Sequence, residues 1–234
     1  MKYLFYISAV CIVLFSCKKG EETITQHDYS GFNTIHINHE FDINLVEDSD
    51  SYVLVKCPER FREGVQIEQN DTILSFDYEK KNRWLHPRDE IVIEIHAPSF
   101  KQILSNETSD ITCLTPLTGD QIGLIMKGKA GNANLNLNCN TFYYWNHHPT
   151  GGVVKLKGQT QLLKIWNYAI TTIEAKELTT YKALVENESQ GDCTVTVTDI
   201  LHYTILGSGN IQAYGSPNEL YNEGVTSSGE LILH

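Results

Sequence analysis

The sequence predicts an all-β protein: a right-handed parallel β-helix, or solenoid, of about seven coils, preceded by a β-strand-rich N-terminal portion. Three observations carry that expectation. Apolar and polar residues alternate through the chain after residue 28, and no stretch shows a helical period. A small corner motif recurs at nearly even spacing in the second half. Positions counted from that corner fall into mostly apolar columns.

The N-terminal portion covers residues 29–98. Strands read at TIHIN (34–38), DINLV (42–46), YVLVK (52–56), VQIEQ (65–69), ILSFDY (73–78) and EIVIEIHA (90–97). Each is short and rich in β-branched or aromatic residues, and turn formers separate most of them. Asn70-Asp71 suits a tight turn. The polar, basic run from Lys80 to Arg88 reads as a loop. The whole portion is expected to be antiparallel.

The repeats fill residues 99–234. Corners stand at Ser109-Asp110-Ile111, Gly131-Asn132-Ala133, Gly151-Gly152-Val153, Thr171-Thr172-Ile173, Gly191-Asp192-Cys193, Gly209-Asn210-Ile211 and Gly229-Glu230-Leu231, spaced by 22, 20, 20, 20, 18 and 20 residues. Two residues into each corner the position is always apolar. Four residues in, it is apolar except at Lys155. Six before, the column runs Ile103, Ile125, Trp145, Ile165, Val185, Tyr203 and Glu223. Nine before, it runs Phe100, Ile122, Phe142, Leu162, Lys182, Ile200 and Leu220. One such coil cannot bury its apolar face, but stacked coils can. Glycine, with Asn or Asp next best, is expected at the corner for its tolerance of positive φ. GSGNIQ at Gly207–Gln212 is then a corner rather than a phosphate loop. It lacks a third glycine, and no helix pattern follows it.

The first residues read as an address rather than as fold. Lys2 precedes an almost wholly apolar run from Tyr3 to Phe15, too short to span a bilayer and suited to a signal peptide over residues 1–16. Leu14-Phe15-Ser16-Cys17 resembles a bacterial lipobox, although Phe15 stands where a small residue is commoner. That resemblance implies lipidation of Cys17, a polar tether over residues 17–28, and an outer-membrane location. The cell surface and the periplasmic face both remain open. Lys18-Lys19-Gly20-Glu21-Glu22 loosely resembles the export signals of surface lipoproteins in Bacteroidota. Of the remaining cysteines, Cys57, Cys113, Cys139 and Cys193 could bridge in an oxidising compartment or stay as buried thiols.

The chain has 234 residues and a formal net charge of -11, which argues against a nucleic-acid partner. Its candidate sites cluster at FYYWNHHPTGG (142–152), KIWNYA (164–169) and LVENES (184–189). Even spacing aligns His147 with Asn167 and Asn187, and Asn146 with Trp166 and Glu186. These six are the candidate ligand-binding residues, with Trp166 foremost. An outward ring beside amides and a carboxylate suits a sugar, and an Asn ladder that merely braces the coils is the alternative. Trp145 falls in an inward column and is expected in the core.

His147-His148 would point to opposite faces of a strand, so no metal site is expected, and no cofactor. Glu186 and Glu188 have no acid beside them in adjacent coils, so no paired-carboxylate catalysis is expected. A structural or signalling periplasmic protein without a small ligand, and a polysaccharide-active enzyme, remain the competing readings. The open C-terminal coil, ELILH, is expected to allow self-association, and residues 29–98 to cover or extend the other end.

The signal, the opening FNTIHINHEFDINLVEDSDSYVLVKCPE (32–59), the strand EIVIEIHAPSFKQI (90–103) and the closing GSGNIQAYGSP (207–217) together resemble the auto-transporter adhesin head GIN domain, a domain of unknown function common in Bacteroidota. The resemblance covers residues 30–217. It implies a β-helix-like fold and an envelope or surface location, its name suggests adhesion, and it carries no catalytic residues. With the candidate residues above, the expected function is a non-catalytic, adhesin-like module binding a glycan or a protein. Thr171-Thr172 and Lys155 depart from the family pattern, so bulges or a feature of interest are expected there.

Overall fold

A computed structural model describes residues 22–79, 91–147 and 149–234. Cys17, the expected loop at Lys80–Arg88 and His148 lie outside the described residues. In chain order the elements are β1 (Glu22–Asp28), β2 (Thr34–Ile37), β3 (Asp42–Glu47), β4 (Tyr52–Pro58), the one-turn helix α1 (Glu59–Arg62), β5 (Val65–Asn70), β6 (Ile73–Tyr78) and β7 (Val92–Ala97). The repeats supply β8 (Gln102–Ser105), β9 (Ser109–Cys113), β10 (Leu117–Met126), β11 (Gly131–Asn146), β12 (Gly151–Asn167), β13 (Ile170–Asn187), β14 (Cys193–Ile205), β15 (Ile211–Tyr214), β16 (Glu219–Val225) and β17 (Leu231–Leu233).

The repeats form a β-solenoid of about seven turns whose strands stack in parallel. β11 to β14 each run through a corner, so each contributes its first half to one sheet and its second half to another. The first sheet stacks β8, the ends of β10 to β14, and β16. The second stacks β9, the starts of β11 to β14, β15 and β17. Inward ladders fill the space between them. In the first sheet, Leu74, Ile35, Ile103, Leu124, Tyr144, Ile165 and Val185 lie in register and are all buried. In the second, Ile93, Ile43, Ile111, Ala133, Val154, Ile173, Cys193 and Ile211 do the same. Each large member contributes about 1.5–3 kcal/mol before entropy is counted.

These ladders pass without a break into residues 29–98, which extend both sheets. β2 lies parallel on β8 and β6 parallel on β2; β3 lies parallel on β9 and β7 parallel on β3. Only the outermost strands reverse: β5 on β6, β4 on β7 and β1 on β4 are antiparallel. The expectation of a wholly antiparallel portion is thus corrected. Period-two alternation is the same for both pairings, so the sequence pattern could not choose between them. Residues 22–28, expected within the tether, form β1. Their polar side chains suit an edge strand with one face in solvent. The turn after Asn70 is present, with Asp71 at φ 53°.

The evenly spaced repeat register slips by one residue in the middle coils. Ala133 pairs with Val154 and Val154 with Ile173, intervals of 21 and 19 where even spacing suggests 20 and 20. The inward residues are therefore Val154 and Leu156, not Val153 and Lys155. Likewise Leu124, Tyr144, Leu163, Ala183 and Leu201 point inward, rather than Ile125, Trp145, Leu162, Lys182 and Ile200. Lys155 is exposed, and the expected irregularity is present beside it: the β12–β13 pairing shifts between Lys155 and Lys157. Thr171 causes no bulge: it is buried, donates to the Thr150 carbonyl at 3.2 Å and accepts from Asn146 Nδ2 at 2.9 Å.

Gly152 adopts the positive φ expected of a corner glycine, at 124°, but most corner glycines have a different cause. Gly131, Gly191, Gly209 and Gly229 do not adopt positive φ. A Cβ at Gly209 would sit 2.1 Å from the Gly191 carbonyl oxygen, and one at Gly229 2.4 Å from that of Gly209. The coils stack too closely for a side chain. The adjacent Asp and Asn then link the coils. Asp110 Oδ1 accepts the Asn132 amide at 3.0 Å, Asn132 Oδ1 that of Val153 at 3.0 Å, Asp192 Oδ1 that of Asn210 at 2.8 Å, and Asn210 Oδ1 that of Glu230 at 3.0 Å.

Near the N-terminal edge of the second sheet, His96 stacks on Tyr52 with ring centroids 4.0 Å apart. Its ring nitrogens lie 3.1 Å from Asp48 Oδ2 and 3.2 Å from Glu94 Oε1, and Lys56 Nζ lies 2.6 Å from Glu94 Oε2. Burial works to raise the Glu94 pKa, but the hydrogen bonds from Lys56 and His96 outweigh it and hold it below the ordinary carboxylate value. The hydrogen bond with His96 does the same for Asp48.

Two predictions follow from this packing. Gly209→Ala is expected to cost about 1–3 kcal/mol by overpacking. Gly224→Ala, where a new Cβ meets nothing closer than 3.9 Å, is expected to stay within about 0.5 kcal/mol of the parent; urea unfolding of both compares them directly. Carboxylates with lowered pKa stabilise the fold above their ordinary range and lose that contribution as pH falls through the lowered values. Urea midpoints of the parent should therefore decline through the acid range, and Glu94→Gln should flatten part of that slope.

Candidate functional site

Outward positions of the first sheet form a second set of columns. Leu104, Ile125, Trp145 and Trp166 stand in register on successive strands, followed by Glu186 and Thr204. All six are partly exposed. This is an apolar stripe that ends in two tryptophans on neighbouring strands, about 4.8 Å apart in backbone spacing. Lys127 Nζ lies 5.9 Å from the Trp145 ring centroid, and the His147 ring meets Trp145 edge-on at 5.8 Å. Beside it runs the column Tyr143, Lys164, Leu184, His202 and Tyr221. Gly123, next in that column, leaves room for the Tyr143 ring, whose hydroxyl accepts from Gln102 Nε2 at 2.7 Å.

Trp166, Leu184, Glu186, His202, Thr204 and Glu223 line a shallow hollow of about 240 Å³. His202 is held on both sides: Nδ1 lies 2.8 Å from Glu223 Oε1, and the ring stacks on Tyr221 at 4.6 Å. Tyr168 donates to Glu186 Oε1 at 3.0 Å. Burial, together with this carboxylate, pushes the Tyr168 pKa up to about 12. The hollow thus presents an aromatic wall, two carboxylates and an imidazole.

Of the six expected ligand residues, the structure brings only Trp166 and Glu186 to this hollow. His147 lies on the surface beside Trp145. Asn146, Asn167 and Asn187 are wholly buried and share one inward column, so they cannot meet a ligand. Asn146 Nδ2 donates to the Tyr168 carbonyl at 3.0 Å, and its Oδ1 accepts the Tyr168 amide at 2.7 Å. Asn167 Nδ2 reaches the Thr171 carbonyl and Asn187 Oδ1, each at 2.9 Å, and Asn187 Nδ2 reaches the Gly209 carbonyl at 3.0 Å. These amides satisfy corner backbone that water cannot reach. The bracing ladder is what the structure contains.

Trp145 was expected in the core and belongs instead to the surface stripe. A signal for this exists in the sequence. The repeated pairs Trp145-Asn146, Trp166-Asn167 and Glu186-Asn187 align at intervals of 21 and 20 and give the observed register. His202 and Tyr221 carry no comparable local signal; only stacking brings them to Trp166.

Among the described residues, no group of three or more His, Cys, Asp or Glu could hold a metal ion. Cys57, Cys113, Cys139 and Cys193 are free thiols, and burial raises all four pKa values.

The family model described as "Putative auto-transporter adhesin, head GIN domain" matches residues 31–217. The chain belongs to this family. Among solved structures, a putative adhesin of Bacteroides fragilis superposes with a TM-score of 0.81 at 22% identity, covering 92% of this chain and 97% of that one. A putative lipid binding protein of Parabacteroides distasonis gives 0.66 at 15% identity, covering 92% and 97%. A putative adhesin of the same organism gives 0.60 at 18%, covering 92% and 98%. At these identities the likeness establishes the GIN-domain fold. No curated protein matches the chain.

Substitutions separate the two kinds of residue. Asn187→Ala removes the partner of the buried Gly209 carbonyl and one of the two acceptors of Asn167 Nδ2, and should cost about 2 kcal/mol. Trp166→Ala, on the surface, should cost less than half as much. Chemical denaturation of the two variants checks the ranking.

Proposed function

We propose that this GIN-domain protein is a non-catalytic, lipid-anchored module of the cell envelope that binds a glycan on the outer face of its first sheet. The observation that carries the reading is the pair Trp145–Trp166 on adjacent strands, flanked by Glu186 and His202. Indole faces cover the apolar C–H groups of a sugar while carboxylate and imidazole bond its hydroxyls. The two acids in the hollow, Glu186 and Glu223, favour an uncharged sugar over an acidic one. The family's adhesin-head description and the two adhesin-named structures are consistent with a binding role at the envelope.

Lipidation at Cys17 would set the geometry of display. Cys17 and Glu22, the start of β1, are five residue steps apart, so the anchor lies within roughly 17 Å of the N-terminal edge. Trp166 stands on β12, six strand steps from β5 in the first sheet, or roughly 29 Å along the solenoid. The tryptophans would then project beyond the membrane-proximal edge.

The test is a glycan screen with the parent, Trp145→Ala and Trp166→Ala. A neutral oligosaccharide should bind the parent, and each variant should weaken it by about tenfold or more. Binding that survives both substitutions rejects the tryptophan face. Cys17→Ala should shift the protein from the membrane fraction to the soluble one, and protease treatment of intact cells then decides which side of the outer membrane displays it.

A further inference from the structure

A second polar surface lies on the outer face of the second sheet, and nothing in the tryptophan reading uses it. Two register breaks meet there. The β12–β13 pairing shifts between Lys155 and Lys157, and the β13–β14 pairing shifts between Ala175 and Thr179. The second break loops out Lys176 and Glu177 as exposed residues, while Leu178 stays buried. The breaks open a groove of about 410 Å³ whose wall includes Lys155, Lys157, Lys176 and Tyr214. A neighbouring hollow of about 430 Å³ shares Asn134 and Lys155 with it and reaches to Thr112. Thr112, Asn134, Lys155, Glu174 and Thr194 stand in register on five successive strands. The track is roughly 19 Å long, and its strand spacing is close to the rise of one pyranose ring in an extended chain.

We propose that this groove binds a carboxylate-bearing polysaccharide laid along the solenoid axis, with Lys155, Lys157 and Lys176 meeting its carboxylates.

Local charge decides the matter here. The chain as a whole is acidic, at -11, but charges separated by more than about 8 Å are largely screened at physiological salt. Within the groove the three lysines outnumber Glu174 and Glu177. Lys155 and Glu174 pair with each other at 3.3 Å, both well exposed to water and so available to exchange partners, which leaves Lys157 and Lys176 against Glu177. Lys176 is positioned in advance. Its Nζ lies 4.1 Å from the Tyr214 ring centroid, and Tyr214 in turn stacks on His234 at 4.1 Å. An ordered ammonium loses less side-chain entropy on binding than a free one. Asn134 and Thr194 supply neutral hydrogen-bonding groups between the charges. Sheet irregularities concentrate at places where a side chain must be re-aimed, and two of them coincide at this groove.

The experiment is affinity electrophoresis and calorimetry of the full chain with polygalacturonate. Fully methyl-esterified polygalacturonate and polyglutamate serve as comparison polymers. The parent should bind polygalacturonate, more weakly as sodium chloride rises, and should bind both other polymers at least tenfold less tightly. Lys157→Ala/Lys176→Ala should weaken polygalacturonate binding by at least about tenfold, the equivalent of losing one charge-assisted contact or more. Trp145→Ala/Trp166→Ala should leave it unchanged, which separates this site from the tryptophan face. Both lysines are exposed, so an unchanged melting temperature is expected to confirm folding; Lys157→Glu is a second variant should the double one be impaired. No binding by the parent, equal binding of the methyl ester, equal binding of polyglutamate, or undiminished binding by folded lysine variants would each overturn the proposal.

Discussion

Close stacking of one corner on the next is the constraint from which the rest of this molecule follows. Gly209 lies so near the Gly191 carbonyl, and Gly229 so near that of Gly209, that no side chain fits between coils. Small residues at these corners therefore reflect a packing distance and not a backbone conformation. Once the corners are that close, the neighbouring Asp or Asn can reach the amide of the next coil, and inward Asn residues can reach the carbonyls inside it. Apolar ladders supply most of the stabilising burial. The polar corner bonds satisfy corner amides and carbonyls that this burial removes from water.

The same stacking makes a functional surface out of residues far apart in sequence. One coil adds one strand, so an outward residue in each of several coils becomes a stripe. Trp145 and Trp166 become neighbours because their strands pair in register, and His202 reaches the same hollow from two strands further on. Where the ladder slips, at Lys155–Lys157 and Ala175–Thr179, the surface hollows. The tryptophan stripe runs along the first sheet, and the lysine groove opens at the breaks in the second.

Much of the architecture was legible beforehand because repetition amplifies a weak local signal. Seven corners and apolar columns identify a solenoid even though no single coil would. The individual site residues were less legible. A one-residue slip in a strand turns every side chain to the other face. Assuming even spacing placed Trp145 inside and Asn146 beside Trp166; the pairing does the reverse, with Asn146, Asn167 and Asn187 buried and the two tryptophans outside. The extra residue enters between Asn146, which still pairs at an interval of 20, and Gly151, which pairs at 21; at Gly152 just beyond it, a φ of 124° and close approach to the Gly131 carbonyl admit only glycine.

By itself, the amino-acid sequence determined the all-β class, the number and rough length of the coils, and the family. These depend on composition and period, which survive small errors of alignment. Tertiary structure alone decided that β2, β3, β6 and β7 join the solenoid in parallel, that residues 22–28 close an edge, and which aromatic and charged groups share a face. Those outcomes depend on strand pairing between distant segments, and pairing is a relation that no local pattern contains.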